Sequence, residues 1–563
     1  MMGAPSSRGR YRILFIVLVW VYLVLSTFYW APIRVLAKPD EAAHIMNVYR
    51  VRTGEWWPRY APEPHPLWHI DEGAQSPLYY WLAAVVSRPT PVADPHRWIE
   101  INPFFLHGAP HGNGARALPL AEGGPFFYAL RVAGWLLGSV VLAATYRAAR
   151  LWLPHVWAWR ATALLAFTPT FAFIQTGVSN ATLAAVFTPL VYGELLRGWV
   201  KGPHRLHVKR LMLLVVLALY TRLDALVLLW PVLLLLWHVR GRRELLRRIL
   251  FWGGVGAVAT FPLWLRNVWL YHDPFVRRAL ALRPQPLPWR LLFTSELERL
   301  FKTLFITVGE GFILAPDGYY VVLAVLLLAA VGGFLLGLRR TRDPIPLFLL
   351  VSYAPLVLVA LISTRRYYID APRYLLVLGT PLFLLVAWGA YQFWPLSWRR
   401  VGGSILVGVW AALNVATIVG VIGPVYQPQP ASPAGPPLAF CEGGIRLREA
   451  RVLQSSREIH VDLVWDTVRP IRYNYVVFVH AYGKDGHMVA QEDTHPLYGA
   501  YPTSWWEPHH PFRDPHRLNV PPEQRVARIV VGLYRWDTQA RLACVSAGGE
   551  AYPDAAVPIF EGP

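Results

Sequence analysis

Charged residues are scarce in this sequence. Asp, Glu, Lys and Arg make up 16% of its 563 residues, whereas 55% are hydrophobic. This balance excludes an ordinary soluble globular protein and favours a polytopic membrane protein. Cysteine is nearly absent. The two present, Cys441 and Cys544, do not indicate a disulfide framework, and they leave one disulfide or two free buried thiols open.

Acidic residues are also outnumbered, and the formal net charge is +20. A basic chain of this kind can be a nucleic-acid-binding protein. Here the basic residues fall in short clusters between apolar runs, where the orientation of a membrane protein accounts for them. We therefore expect membrane lipids, and no nucleic acid, among the partners.

Long apolar runs recur between the N-terminus and about residue 424. A helix needs about 17–25 mostly apolar residues to cross roughly 30 Å of hydrocarbon. The first run is too long for a signal peptide and lacks a small-residue cleavage site. Residues 1–424 are thus expected to form one helical membrane domain. The eleven predicted spans are 12–32, 126–151, 157–176, 181–198, 208–221, 223–239, 249–270, 318–338, 344–362, 373–394 and 401–424.

Clusters of Arg and Lys predict the orientation. All of them fall on one side of the eleven-span arrangement, and the positive-inside rule makes that side cytoplasmic. The N-terminus is then cytoplasmic in a multi-pass cell-membrane protein, and the loops 33–125 and 271–317 and the C-terminal region lie outside. The clusters are the N-terminal segment "SSRGRYR" and the loops 197–210, 240–248, 338–342 and 397–400.

A short apolar piece, "SPLYYWLAAVV" (76–86), interrupts the large external loop 33–125. It is too short to cross the bilayer, so we expect an interfacial helix with Tyr79, Tyr80 and Trp81 at headgroup level. A genuine short span is the alternative.

The composition changes after residue 424. A Pro-rich linker, 425–437, precedes a region (438–563) whose hydrophobic residues alternate. "EIHVDLVWDT" places Ile459 and Trp465 on one face, and "YNYVVFVHAYGKDGHMVAQ" predicts two strands around an Asp485-Gly486 turn. With "RVARIVVGLYRW" and "ARLACV" as further strands, the sequence predicts a small extracytoplasmic β-sandwich.

The stretch "VLAKPDEAAHIMNVYR" (35–50) places Asp40, Glu41 and His44 just after the first span. A carboxylate costs roughly 2.5–3.5 kcal/mol at the centre of a span, so acids near membranes usually face a wet cavity. One of the two acids can therefore act as a general base on an acceptor hydroxyl. The alternative is a helix N-cap by Asp40.

Several motifs follow this stretch in a fixed order. They resemble those of the GT-C superfamily of membrane glycosyltransferases that use polyprenyl-phosphate sugars, such as protein O-mannosyltransferases and lipid A aminoarabinose transferases. The resemblance covers about residues 10–425. The motifs are "PDEAAH", "GEWWP", "QSPLYYWL", Arg131, "FTPTFAFIQTGVSN" (167–180), "LYTRLDAL" (219–226), "PLWLRNVWLYHDP" (262–274) and "APRYLLVLGTPLFLL" (371–385).

The resemblance implies a polyprenyl-phosphate-linked sugar donor and a lipid, glycan or protein acceptor at the outer face. It implies Asp40 as the catalytic base, supported by Glu41 and His44. Guanidinium groups suit a leaving phosphate, and Arg222, Arg373 and Arg266 are the predicted phosphate ligands; snorkelling to the headgroups is the alternative for each. Arg365 and Arg366 are weaker candidates. The predicted substrate cavity contains Gln75, Tyr79, Asn180, Asp224 and Tyr374.

Two positions depart from the family pattern. Relatives commonly carry Asp after the Asn of "SN", where this chain has Ala181 after Asn180, so a second acidic contact from that loop is in doubt. Ser76 replaces a Pro that many relatives have before Pro77.

A metal site is an open question. Some members of the superfamily use a divalent ion, and "HPLWHIDEG" contains His65, His69, Asp71 and Glu72. Their spacing matches no closed zinc pattern. We therefore predict no metal ligands and keep a divalent ion as the alternative.

Two other functions remain open. A transporter or flippase also has many spans, but such proteins typically show internal repeats and helices broken near the midplane, which the sequence does not indicate. The other is a non-catalytic envelope-assembly scaffold with the sandwich as its working part. In that sandwich Tyr498, Tyr501, Trp505 and Trp506 are expected mostly in the core, with stacking on sugar rings as the alternative.

Overall fold

The computed structural model describes residues 7–33, 36, 38–59, 72–92, 94–95, 99–101, 115–117, 124–238, 243–276, 286–309, 313–366, 379–426, 428–454, 458–499, 501–521, 524–535 and 538–562. The chain divides into two compact units. The helical unit comprises Met1–Ala31, Asp40–Pro95 and Glu122–Ile418, and the β unit comprises Pro32–Pro39, His96–Ala121 and Val419–Pro563.

Leu-, Val- and Ala-rich segments form the helices. They are α1 (Ser7–Thr27), α2 (Glu41–Arg52), α3 (Leu78–Val86), α4 (Gly124–Ala149), α5 (His155–Ala166), α6 (Pro169–Gln175), α7 (Asn180–Lys201), α8 (Val208–Thr221), α9 (Leu229–His238), α10 (Arg243–Tyr271), α11 (Trp289–Leu291), α12 (Leu297–Phe305), α13 (Asp317–Arg340), α14 (Ile345–Thr364), α15 (Thr380–Phe393), α16 (Arg399–Thr417) and α17 (Gly423–Tyr426).

Within the described ranges, five helices are long and apolar enough to cross a membrane. They are Gly124–Ala149, Arg243–Tyr271, Asp317–Arg340, Ile345–Thr364 and Arg399–Ile422, and the bent pair of α6 and α7 adds a sixth if it counts as one span. Shorter apolar helices cover Tyr11–Thr27 and Leu223–His238. The prediction of a polytopic α-helical membrane protein is confirmed, while the number of eleven spans stays a prediction.

The predicted span 157–176 is not one helix. α5 ends at Ala166, and Pro169 opens α6, where its missing N–H costs nothing. α7 then starts at Asn180, bent by 118° from α6, with the Ser179 hydroxyl accepting from the Ala181 N–H as its N-cap. The expectation that the chain has no broken helix is therefore wrong.

The helix α3 is short, as predicted, but its tyrosines face inward. Its 9 residues rise about 13.5 Å, too little to cross a bilayer. Tyr79 and Tyr80 are 6% and 1% exposed, so both side chains pack inside the protein, while their placement at headgroup level stays a prediction. Trp81 instead stacks on exposed Trp56 at 5.6 Å between ring centroids.

The strands are β1 (Ile99–Ile101), β2 (Ala115–Ala117), β3 (Thr307–Val308), β4 (Ile313–Leu314), β5 (Ala439–Cys441), β6 (Ile445–Gln454), β7 (Glu458–Thr467), β8 (Val476–Tyr482), β9 (Met488–Thr494), β10 (Phe512–Asn519), β11 (Arg528–Tyr534), β12 (Cys544–Val545) and β13 (Val557–Glu561). In the β unit, β10-β7-β6-β5-β12 form one antiparallel sheet and β13-β11-β8-β9 another; β1-β2 and β3-β4 are separate two-stranded ladders. The predicted C-terminal β region is confirmed, and the turn between β8 and β9 has Gly486 at φ 77°.

The cysteines settle one open alternative. Cys441 on β5 and Cys544 on β12 are register partners and form a disulfide, so the alternative of two free thiols is wrong. Two of the four aromatic residues follow the core prediction, whereas Trp505 is partly exposed. Tyr501 and Trp506 are buried and pack against Phe512, whereas the side chain of Tyr498 lies outside the described residues.

A buried histidine joins two strands of the β unit. His516 on β10 is 2% exposed, and its Nδ1 and Nε2 lie 2.9 and 3.0 Å from the carboxylates of Glu492 and Asp514. Burial alone lowers the pKa of His516, but the carboxylates of Asp514 and Glu492 outweigh it and raise the pKa to about 10.

This pKa predicts a pH-dependent stability. Because the pKa in the folded protein lies above the unfolded value of about 6.5, the stabilisation is complete below about pH 6.5 and is lost as the pH rises toward 10. We expect the β unit to lose on the order of a few kcal/mol between pH 6.5 and 10. His516→Gln should remove this dependence and destabilise the unit at pH 6.5, measured by thermal unfolding of the whole protein. The control is exposed His510→Gln, and an unchanged pH profile in His516→Gln would contradict the assignment.

Candidate active site

Asp40 stands at the start of α2. It occupies the N-cap position in a left-handed conformation, φ 57° and ψ 12°, and its backbone carbonyl accepts from the His44 N–H at 3.0 Å. Its side chain makes no capping hydrogen bond and is partly exposed. The N-cap alternative therefore describes the backbone position of Asp40, while its carboxylate serves no capping role.

Glu41 forms a fully buried ion pair with Arg131 of α4. Arg131 donates from Nε to Glu41 Oε1 at 3.0 Å and from Nη2 to Oε2 at 2.7 Å, and both side chains are 0% exposed. The guanidinium also donates to the Trp30 carbonyl at 2.9 Å and lies 4.5 Å from the centre of the Phe127 ring. This two-pronged geometry is the strong form of a carboxylate–guanidinium pair.

Glu41 also reaches the break between α6 and α7. The Val178 N–H donates to Glu41 Oε1 at 3.1 Å. Three residues along α4 from Arg131, Gly134 lies so close to this break that a Cβ would stand 2.8 Å from the Gln175 carbonyl oxygen and 2.9 Å from that of Gly177. The ion pair therefore fixes the start of α2 against α4 and against the segment that leads to Asn180.

His44 joins three elements. Its Nδ1 lies 2.9 Å from the Tyr80 hydroxyl of α3, and its Nε2 lies 3.2 Å from the Ser179 hydroxyl at the start of α7. Tyr79 packs edge-on against the His44 ring, 6.2 Å away, and interacts with the Ser179 backbone. His44, the predicted helper of Asp40, thus holds α2, α3 and α7 together.

Arg222 is held by two of the predicted cavity residues. Its Nε donates to Asp224 Oδ1 at 3.1 Å, its Nη2 donates to Asp224 Oδ2 at 2.9 Å, and its Nη1 donates to Asn180 Oδ1 at 3.0 Å. Arg222 is 8% exposed, and 35% of the Asp224 side chain is accessible. The sequence placed both residues in a turn between two apolar runs, and the structure confirms that turn as a 3-10 helix, Leu223–Leu228.

The same network continues into the segment that precedes α3. Asn180 Nδ2 donates to Gln75 Oε1 at 3.1 Å, and Gln75 Nε2 donates to Glu72 Oε2 at 2.5 Å. Gln75, Asn180, Arg222 and Asp224, predicted from separate motifs, are therefore connected side by side in one hydrogen-bonded chain.

The metal alternative is only partly described. Glu72 has the hydrogen bond to Gln75, whereas His65, His69 and Asp71 lie outside the described residues. Within the part of the chain that the structure describes, no group of three or more His, Cys, Asp or Glu side chains is placed to hold a metal ion.

Arg266 belongs to a different set of contacts. Its Nη2 donates to the carbonyls of Pro58 and Gly73, and its guanidinium lies 4.8 Å from the centre of the Trp57 ring. Arg365 similarly donates to the Leu287 carbonyl and stacks on a tryptophan. These contacts hold the backbone at Pro58, Gly73 and Leu287 in place. Arg366 is exposed, and Arg373 and Tyr374 lie outside the described residues.

Three residues of this region had no predicted role. Arg131 was noted only as a motif residue, although a charge inside an apolar run signals a buried partner. Ser179 carried an N-cap signal, because it directly precedes a helical run. Tyr80 carried no separate signal, because its neighbour Tyr79 is equally aromatic and only tertiary packing distinguishes them.

Comparisons with known proteins return solved structures alone. No protein-family model and no curated protein sequence matches the chain. ArnT from Cupriavidus metallidurans bound to undecaprenyl phosphate is 16% identical, with a TM-score of 0.45 over 75% of this chain and 72% of that chain. The same protein in the apo state gives 16% identity and a TM-score of 0.31 over 77% and 82%.

The apo oligosaccharyltransferase of Archaeoglobus fulgidus is 10% identical, with a TM-score of 0.40 over 72% of this chain and 55% of that chain. Since every TM-score lies below 0.5, the roles of residues in this chain are argued from its own geometry.

The buried ion pair predicts strong coupling between its partners. Removing one partner of a buried pair typically costs about 3–5 kcal/mol, since the other charge is left uncompensated. We expect Glu41→Gln and Arg131→Met each to destabilise the protein by about that amount, and the double variant by less than the sum. Thermal unfolding of the purified proteins measures this.

The pair of Arg50 and Glu55, 3.9 Å apart with 44% of the Glu55 side chain exposed, supplies the control. Glu55→Gln should change the unfolding free energy by at most about 1 kcal/mol. Strictly additive effects of the two single substitutions at Glu41 and Arg131 would show that they do not act as a pair.

Proposed function

We propose that this chain is an integral-membrane glycosyltransferase. It transfers a sugar from a polyprenyl-phosphate-linked donor to a lipid, glycan or protein acceptor at the outer face of the membrane. The observation that supports this most strongly is the convergence of polar side chains from four separate segments in one helical unit: α2, the start of α3, the start of α7 and the turn after α8. A polar site built among apolar spans suits a substrate with a lipid tail and a polar head.

Asp40 is proposed as the general base. Its carboxylate is partly exposed, next to the buried Glu41, so it can meet an acceptor hydroxyl that arrives from water. Asp40 takes the hydroxyl proton as the oxygen bonds to the anomeric carbon of the sugar. The bond from that carbon to the phosphate oxygen breaks, and the polyprenyl phosphate leaves with the electron pair. Attack from the face opposite the phosphate inverts the anomeric centre.

Arg222 is proposed to hold the donor phosphate. Asp224 and Asn180 fix the plane of its guanidinium, which prepares it for the negative charge that grows on the leaving group. Glu41 and His44 act as positioning residues: Glu41 through Arg131, and His44 through Tyr80 and Ser179. Arg373, Tyr374 and Tyr79 stay candidate contacts of the substrate, whereas Arg266 is assigned to the loop.

The orientation follows the same proposal. The basic loops face the cytoplasm, and the β unit lies on the opposite side of a cell membrane. Its disulfide is compatible with an oxidising compartment. The role of the β unit and any dependence on a divalent ion are proposals to be measured, the latter by assaying transfer with and without EDTA.

A flippase for a lipid-linked precursor is the second candidate. The 118° bend between α6 and α7 supports it, because transporters place broken helices at their substrate sites. Proteoliposomes that hold a fluorescent undecaprenyl-phosphate sugar distinguish the two. A flippase moves the lipid between leaflets without an acceptor, whereas a glycosyltransferase consumes the sugar donor only when acceptor is present.

The proposed role of Asp40 as general base predicts that its substitution slows sugar transfer. Asp40→Asn, which is isosteric, should lower the rate of sugar transfer by about 10²–10⁴-fold, the usual contribution of a general base. The affinity for undecaprenyl phosphate should stay within about twofold of the parent, since Asp40 acts on the acceptor. The assay follows release of undecaprenyl phosphate from a synthetic undecaprenyl-phosphate sugar in the presence of envelope extract. The control is Glu55→Gln, and near-full activity of Asp40→Asn refutes the assignment.

The proposed role of Arg222 predicts a loss of lipid binding. Arg222→Gln should weaken binding of undecaprenyl phosphate by about 10–100-fold, because a hydrogen bond to a charged group contributes roughly 1.5–3 kcal/mol. Titration of the lipid into protein in nanodiscs measures this. Arg205→Gln, at an exposed arginine of the cytoplasmic loop, is the control. Equal affinities of the parent and Arg222→Gln would place the phosphate elsewhere.

A further inference from the structure

Asn47 is an unusual buried residue. It lies on α2, one turn after His44, and is 1% exposed. Its side chain lies beside the Tyr80 hydroxyl, yet neither its amide nitrogen nor its amide oxygen has a hydrogen bond of good geometry. Within the described part of the chain, it is the one side chain in which two buried polar atoms lack partners. Buried amides are normally satisfied, so this one calls for a ligand.

Ser76 shows the same property in the neighbouring segment. It is 1% exposed, and its hydroxyl has no hydrogen-bond partner among the described residues. It directly follows Gln75, which accepts from Asn180, and it precedes α3, which carries Tyr80. The unsatisfied hydroxyl therefore lies between two anchor points of the candidate active site.

The Tyr80 hydroxyl connects Asn47 with the rest of the site. It lies 2.9 Å from His44 Nδ1, and His44 Nε2 lies 3.2 Å from the hydroxyl of Ser179, which directly precedes the Arg222 partner Asn180. Tyr80, His44 and Ser179 therefore connect Asn47 with the segment that holds Arg222, which is proposed to bind phosphate. In a glycosyl phosphate lipid, the sugar is attached directly to that phosphate.

We propose that Asn47 and Ser76 bind the hydroxyl or amino groups of the transferred sugar and thereby select it. This inference rests on the proposed function and adds the residues that recognise the sugar. An amide offers one acceptor and a two-proton donor, and a serine hydroxyl offers both functions. Adjacent groups on a sugar ring need that combination. A site with buried polar groups discriminates strongly, because a sugar that lacks the matching group leaves them unpaired.

The experiment compares the binding of undecaprenyl phosphate with that of its glycosylated forms to the same protein. Undecaprenyl phosphate and its mannosyl, glucosyl and 4-amino-4-deoxyarabinosyl forms are titrated into the full chain in nanodiscs. In the parent, at least one sugar should increase affinity. Asn47→Leu, which keeps the volume, should weaken that glycosylated lipid at least tenfold and undecaprenyl phosphate by less than twofold. Ser76→Ala should show the same selectivity with a smaller, about threefold loss.

Matched controls come from Thr145 and Thr188. Each is 0% exposed and has a hydroxyl without a described partner, on α4 and α7, so Thr145→Val and Thr188→Val remove the same kind of group elsewhere. Both should leave all affinities unchanged. Thermal unfolding of every variant is measured in parallel, and Asn47→Ala replaces Asn47→Leu if the latter does not fold.

The outcomes separate the two proposals. Equal losses for both lipids, no loss, or no gain from any sugar in the parent would overturn the role of Asn47 and Ser76 while leaving the phosphate site intact. A large drop in unfolding temperature with unchanged selectivity would overturn it as well, because it would show a bound water or a purely structural role. A parent protein that binds neither undecaprenyl phosphate nor its glycosylated forms refutes the proposed function itself.

Discussion

The arrangement of the helical unit near Asp40 depends on one buried ion pair. Glu41 and Arg131 are both withdrawn from solvent, where a lone charge would be costly and a well-bonded pair is tolerated. The pair is also bonded to the Val178 N–H and the Trp30 carbonyl. It therefore joins the chain after α1, the first turn of α2, the middle of the helical unit at α4, and the break that leads into α7. Gly134 allows α4 to approach that break at backbone distance.

The candidate site contains two hydrogen-bonded networks of polar side chains in addition to this ion pair. One runs through His44 to Tyr80 and Ser179, and the other runs from Glu72 to Asp224 through Gln75, Asn180 and Arg222. They meet at the start of α7, because Ser179 belongs to the first and Asn180 to the second. The two neighbouring carboxylates therefore differ in role. Glu41 is buried and holds the structure together through its contacts with Arg131 and Val178, whereas Asp40 is partly exposed.

Local sequence patterns predicted the individual helices and strands better than they predicted the contacts between them. The alternation in "EIHVDLVWDT" and the Asp485-Gly486 turn identified β7, β8 and β9, because strand periodicity and turn chemistry are local properties. Gln75, Asn180 and the pair of Arg222 and Asp224 were predicted from three separate motifs. Their mutual contacts could not be predicted, because loop residues 72–75 and the turn after α8 are about 150 positions apart and only tertiary packing joins them. The same limit explains Tyr79 and Tyr80, whose aromatic character fits a headgroup belt as well as a buried contact with His44.

The broken helix shows a local signal that was outweighed. "FTPTF" contains a proline start, but the apolar run from 157 to 176 reads as a continuous span, so the break between α5 and α6 was not predicted. The break between α6 and α7, with the serine cap of "GVSN", falls between two predicted spans. In lipid, a break of this kind exposes backbone groups that must be satisfied by the protein. Glu41 and the Ser179 hydroxyl satisfy two of them, at Val178 and Ala181. Glu41 of the ion pair therefore also stabilises the break between α6 and α7.

The left-handed backbone of Asp40 restricts which residues can occupy this position. Asp, Asn and Gly adopt that conformation readily, whereas longer or branched side chains do so at a cost. A glutamate would retain the acid but strain the turn, and an asparagine or glycine would retain the turn but lose the acid. Aspartate alone among the twenty residues meets both demands, so the conformation that begins α2 and the chemistry proposed for its first carboxylate select the same amino acid independently.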